Sequence, residues 1–142
     1  MIKDVLISIK GTQGLEDNTD TVEFMTDGRF GINDGEYFIS YDESAMLDSG
    51  EEVKTYLYLK SDNSVIIQRN GAVKSKILIE EGKRNTSFYT TPYGNLTIGV
   101  FGEAIQHNLS VFGGEITLKY TLDTDLKLLS ENTVNISVRE VK

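Results

Sequence analysis

The chain has 142 residues, 39% of them hydrophobic and 25% charged, with no cysteine and a formal net charge of −8. Length and composition predict one globular domain spanning 1–142 with a core large enough to hold without staples. They exclude a disulfide framework and any thiolate metal site or nucleophile. The acidic balance sets a nucleic acid or an anionic membrane against a surface of its own sign, so neither is an expected partner.

The first ten residues, Met1-Ile-Lys-Asp-Val-Leu-Ile-Ser-Ile-Lys10, carry Asp4 among their apolar positions and do not read as a signal peptide. No window approaches the roughly 18 uncharged apolar residues of a spanning helix. A cytoplasmic location is therefore expected. The formal sequons at Asn85, Asn95, Asn108 and Asn135 then read as turn and strand chemistry.

Period-two alternation dominates from end to end, and such alternation marks half-buried antiparallel strands. Strands are predicted over 3–10 and 20–27, with Asp27-Gly28 as a turn, and over 35–42 after a turn at Asn33-Asp-Gly35. Ser44-Ala-Met-Leu-Asp48 is long enough for one helical turn. Strands follow at 53–60 and 64–70. Asn70-Gly71 is the strongest hairpin signal, leading into 73–80, and Glu81-Gly82 separates that run from 84–91.

The only proline stands in Pro92-Tyr-Gly-Asn95. Proline fixes φ for the first corner of a tight turn and cannot donate to a central ladder, so one strand stops there. The next run, Leu96 to Phe112, far exceeds the usual strand of roughly five or six residues. Its inward set changes parity, from Leu96, Ile98 and Val100 to Ile105, Leu109 and Val111. An extra residue at Gly102, a β-bulge, produces that change and bends a sheet toward closure. Residues 115–122 and 133–139 are clean strands, with Ile116, Leu118, Tyr120 and Leu122, then Val134, Ile136 and Val138, facing in. Asp125-Leu-Lys-Leu-Leu129 between them suits a helical turn.

About eight to ten antiparallel strands joined by hairpins leave an up-and-down barrel or a β-sandwich. The barrel is favoured, because closure removes exposed edges and the even hairpin spacing needs no long crossover.

Three segments taken together carry a family resemblance: Tyr89-Thr-Thr-Pro-Tyr-Gly94, Gly114-Glu-Ile-Thr-Leu-Lys-Tyr-Thr-Leu-Asp123 and Asn132-Thr-Val-Asn-Ile-Ser-Val138. They resemble the YwiB-like family of small uncharacterised bacterial proteins. The resemblance rests on Tyr89, Thr91, Pro92, Gly94, Gly114, Tyr120 and Leu122. It implies a calycin-like (lipocalin-like) β-barrel in a bacterial cytoplasm, and it brings no activity and no catalytic residues.

His107 is the only histidine. Parity after the bulge places Glu103 and His107 with Ile105 on one face, and Arg69 shares a face with Val65 and Ile67. Arg69, Glu103 and His107 could converge in the lumen as a site for an anion or carboxylate; placement near the barrel rims, in reach of water, is the competing reading. Tyr37 and Tyr41 share a face with Ile39 and suit an amphipathic pocket lining. Tyr56 and Tyr58 point opposite to Leu57 and Leu59, which would give an outer aromatic patch suited to self-association.

One histidine and no cysteine leave no ordinary zinc site. The carboxylates at Asp17, Asp20, Asp42, Glu43, Asp123 and Asp125 read as solvated turns, so neither metal nor cofactor is expected. No nucleophile elbow or phosphate loop is present. The leading expectation is a barrel binding a small apolar or amphipathic molecule in its lumen. The alternatives are a protein-interaction or homodimerising barrel, and an enzyme centred on His107.

Overall fold

The computed structural model describes residues 2–15, 18–42, 53–71, 74–91, 94–124 and 127–141. Ten strands account for nearly all of them: β1 (Ile2–Leu15), β2 (Asn18–Asn33), β3 (Glu36–Asp42), β4 (Val53–Leu59), β5 (Val65–Gly71), β6 (Lys74–Ile79), β7 (Arg84–Thr91), β8 (Gly94–His107), β9 (Gly113–Thr124) and β10 (Lys127–Glu140). They form a closed barrel in the order β1-β10-β9-β8-β7-β6-β5-β4-β3-β2, each antiparallel to its neighbours. The first and last strands seal it, from Val5↔Glu140 to Gly14↔Glu131. This is the up-and-down barrel that the alternation predicts, not a sandwich.

The inward row of each strand supplies the core. Val5 and Ile7, Phe30, Ile39, Leu57 and Leu59, Val65, Ile79, Val100, Ile116, Leu118 and Ile136 are almost completely buried. Burying one such aliphatic or aromatic side chain stabilises the fold by roughly 1.5–3 kcal/mol. Most of these residues are β-branched, so the rotamer restriction that favours strands coincides with the packing that fills the barrel.

The parity change falls where expected. β8 and β9 pair Gly102 with Tyr120 and then Ala104 with Lys119, which leaves Glu103 as the extra residue. Val100 and Gly102 face in before it and Ile105 after it. A Cβ on Gly102 would lie 2.3 Å from the carbonyl oxygen of Glu80. The same glycine accepts from Gly82 N–H at 2.8 Å and donates to the Lys83 carbonyl at 3.2 Å. The bulge is thus also where the 80–83 turn docks against the wall. A second register shift, between Leu128 and Ser130 of β10, turns Ser130 and Asn132 inward.

Several sequence expectations are corrected. Asp27-Gly28 is no turn: Gly28 lies within β2, where a Cβ would overlap Ile7 Cδ1 and the Ser40 carbonyl. Its glycine serves close approach, which the sequence cannot distinguish from a turn. Residues 127–129 are strand and not helix, because β10 pairs with β9 from Lys127 onward. β1 and β2 are much longer than 3–10 and 20–27. The turns at Asp34-Gly35 (φ 52° and 77°) and Gly82 (φ 75°) are as expected. Asn70-Gly71 is no turn either, since both residues lie in β5 and pair with Lys54 and Val53 of β4; the expected helical turn at 44–48 and Pro92-Tyr93 lie outside the described residues, although Thr91 and Gly94 on either side of Pro92-Tyr93 pair directly.

The two ends of the barrel differ. At one end the 108–112 segment folds inward: Leu109 is buried, Ser110 and Gly113 bond each other through their backbones, and the Tyr37 hydroxyl donates to the Leu109 carbonyl at 2.9 Å. Tyr37 in turn stacks on Phe30 with ring centroids 6.0 Å apart. This end is plugged.

Candidate functional site: an open cavity at one end of the barrel

At the opposite end, β1, β2, β9 and β10 rise past the packed core and enclose a cavity of about 480 Å³. Ligand pockets commonly measure about 300–1,000 Å³. Its deeper wall is apolar and aromatic, with Ile9, Phe24, Tyr41, Tyr120 and Val134; Gln13, Asp20, Arg69 and Asn132 bring polarity. Phe24 and Tyr41 meet edge to face at 6.1 Å and 63°.

Local sequence explains why the space stays open. Gly11 occupies an inward position of β1 between Ile9 and Gln13, paired with Val22 and Val134. A Cβ added there would meet no atom within 4 Å, so the missing side chain is cavity volume. On β4 the inward row Val53-Thr55-Leu57-Leu59 places a hydroxyl among apolar residues. Thr55 is 1% exposed, and its Oγ1 has no hydrogen-bond partner among the described residues. By register Thr55 sits between Tyr41 and Arg69, both of which line the cavity. On β10, the Asn132 amide donates to Ser130 Oγ at 3.1 Å and to the Tyr120 carbonyl at 3.4 Å, which fixes its orientation at the rim.

Of the five residues singled out from sequence, the structure brings two together. Tyr41 and Arg69 line this cavity. Tyr37 and His107 belong to the plugged end: their rings meet edge to face at 5.7 Å, and His107 Nδ1 accepts from Leu109 N–H at 3.2 Å. Both help to hold the plug. Glu103 is the bulged residue and is exposed on the outer wall. The proposed convergence of Arg69, Glu103 and His107 is therefore corrected. Parity gives the side of the wall and not the height along it, and the bulge exempts Glu103 even from parity.

Two further positions leave traces in the sequence. Thr55 interrupts an apolar row, and Gly11 interrupts the alternation of β1 without any turn nearby. Outside the barrel, Tyr56 and Tyr58 do face away from the core, half-buried against Phe38 with centroids 6.2 and 5.4 Å away. Lys60 and Glu36, paired at 3.3 Å, border this ladder.

An ionic clamp braces the wall beside the cavity. Arg84 of β7 reaches over β8 to Asp123 of β9, with Nε at 3.2 and 3.1 Å from the two carboxylate oxygens and Nη2 at 2.5 Å from Oδ1. It can cross only because β8 carries Gly99 at that point, where a Cβ would overlap the guanidinium. The hydrogen bonds from Arg84 hold the Asp123 carboxyl below its ordinary value of 3.8.

The model of the family described as Domain of unknown function (DUF1934) matches residues 7–136, which takes in all but the outermost residues of the sealing strands. The chain belongs to this DUF1934 family. A DUF1934 chain is similar in sequence to the uncharacterized beta-barrel protein YwiB of Bacillus subtilis (strain 168), here at 25% identity over 118 residues, covering 83% of this chain and 80% of that one. The crystal structure of the B. subtilis ywiB protein superposes with a TM-score of 0.86 over 99% of this chain and 94% of that one, at 22% identity. The likeness shows a shared fold, and with it a YwiB-like barrel for this DUF1934 member.

Proposed function

We propose that this barrel is a binding module that takes a small amphipathic molecule into the cavity at its open end. The observation that carries the reading is the space of about 480 Å³ at the open end, lined by rings and a few polar groups; at the other end Leu109 and Tyr37 close over the core, and the space of about 600 Å³ there runs from Ile32 and Tyr37 out over Phe38 and Tyr58. A barrel that served only as scaffold would gain stability by filling the open-end space, since voids forfeit dispersion contacts. Gly11 leaves it empty.

The test is native mass spectrometry of the protein purified from its own source, beside a Gly11→Leu variant. A Cβ at this position meets no atom within 4 Å, so a leucine side chain starts from open space and extends into the cavity. The native protein should carry a small-molecule adduct that is lost on denaturation, and Gly11→Leu should lack it while folding normally. Adduct-free masses for both proteins, each that of its own polypeptide alone, would count decisively against the reading. A second reading rests on the outer Phe38, Tyr56 and Tyr58 ladder, which would serve association with a second copy. Light scattering that gives a monomer at every concentration would remove it. Among the described residues, what His107 meets is the plug: its Nδ1 accepts from Leu109 N–H and its ring contacts Tyr37.

A further inference from the structure

We infer that the cavity selects ligands that present a hydrogen-bond donor, a neutral hydroxyl or N–H, to Asn132 Oδ1, with an apolar ring lying in the gap left by Gly11. This rests on the binding reading above and adds the chemical class of the ligand.

The register of the wall builds the site in two layers. Across β2, β1, β10 and β9, the pairs Asp20↔Gln13, Gln13↔Asn132 and Asn132↔Tyr120 form one inward row. Directly below it, Val22↔Gly11, Gly11↔Val134 and Val134↔Leu118 form the next. The lower row is apolar and lacks a side chain at Gly11, so it leaves room for a hydrophobic body. The upper row carries oxygen acceptors on Asp20, Gln13 and Asn132. Asp20 and Gln13 stand exposed at the rim, whereas Asn132 is only 7% exposed.

The neighbours of Asn132 set the orientation of its amide. A backbone carbonyl can only accept, so the bond to Tyr120 at 3.4 Å requires Nδ2 on that side, and Nδ2 also donates to Ser130 Oγ at 3.1 Å. Both of its N–H groups are thereby used. Oδ1 remains, and no group among the described residues donates to it. A nearly buried amide oxygen of this kind favours a ligand O–H or N–H, and an apolar group laid against it would leave it unpaired. A carboxylate or sulfonate offers this row only acceptors, and it carries the sign of Asp20 and of the whole chain at −8. Arg69 stands across the lumen, in the row of Tyr41 and Thr55, and already has a partner of its own.

The experiment uses naphthol, methylnaphthalene and naphthoate, all substituted at the same ring position. Each is titrated by its fluorescence into the native protein and into variants checked for folding by circular dichroism. Naphthol and methylnaphthalene have nearly one shape, and hydrophobicity alone favours the methyl compound, so a preference for naphthol reports a donated bond. The native protein should bind naphthol about threefold to tenfold more tightly than methylnaphthalene, the worth of one hydrogen bond, and naphthoate most weakly. Gly11→Leu should abolish binding of all three. Asn132→Leu, with the same branching and no acceptor, should reverse the order of naphthol and methylnaphthalene. Should that variant not fold, NMR of the native protein decides: the Asn132 side-chain carbonyl carbon should move downfield with naphthol and not with methylnaphthalene. If Gly11→Leu removes all three probes, the donor inference is still wrong in any of three cases: the native protein prefers the methyl compound or the naphthoate, Asn132→Leu keeps the native order, or the carbonyl carbon responds alike to both neutral probes. The cavity reading then stands. If Gly11→Leu leaves the probes bound, or the native protein binds none of them, the cavity reading falls and this inference with it.

Discussion

Replacing Gly102 by alanine would place a methyl carbon 2.3 Å from the Glu80 carbonyl oxygen, 2.7 Å from its carbon and 3.1 Å from Ile79 Cγ2. The first two obstacles are backbone, and the 80–83 turn cannot withdraw freely. It is tied to Gly102 by the Gly82 N–H at 2.8 Å and the Lys83 carbonyl at 3.2 Å. Giving up both bonds costs about 1 kcal/mol each, and accommodating an overpacked methyl adds about 1–3 kcal/mol if neighbours shift instead. By either route the loss is about 1–3 kcal/mol, which lowers Tm by about 2–12 °C for a domain of this size. Gly102 does not lie among the glycines of positive φ, so no backbone strain confuses the result. Gly11→Ala is the control: no atom lies within 4 Å of its Cβ, and its Tm should match or exceed that of the native protein. Calorimetric melts of the three proteins decide the matter. If Gly102→Ala melts within a degree of native, the bulge is not docked against the turn as described.

The Arg84–Asp123 clamp predicts a pH signature. Because the folded carboxyl titrates below its ordinary 3.8, its stabilisation is complete above that value and fades as pH falls through the lower folded value. Asp123→Asn should therefore melt below native at pH 7, and the two should converge under pH about 4; a gap that stays constant down to pH 3 would contradict the clamp. Tyr37→Phe should cost about 0.5–1.5 kcal/mol by removing the bond to Leu109, and should speed amide exchange within 108–113 while sparing the far end of the barrel. Exchange that rises evenly throughout would show that Tyr37 does not hold the plug.

Alternation exposed the inner faces of most strands, since a one-residue error would turn each apolar set to solvent. The bulge was legible for the same reason: Val100 and Ile105 cannot both face in without an extra residue between them. Strand length was less legible, because β1 and β2 continue beyond the core as rim, where inward positions such as Gly11, Gln13 and Asp20 carry no apolar signal. The site was half legible. Tyr41 and Arg69 were found by facing alone, while Tyr37 and His107 share that facing at the plugged end. Height along the axis comes from strand tilt and register, and a single sequence records neither. Thr55 stayed hidden because a threonine is at home in any strand.

Sealing β1 to β10 joins residues separated by nearly the whole chain, with Val5 paired to Glu140. On the ribosome, then, β1 can pair with β2 early, but its other edge has no partner until β10 has emerged, and every earlier intermediate shows two raw edges to its surroundings. Such distant pairing places the protein among slow folders of high contact order. For this cylinder the vulnerable moment is synthesis, before the seam has shut.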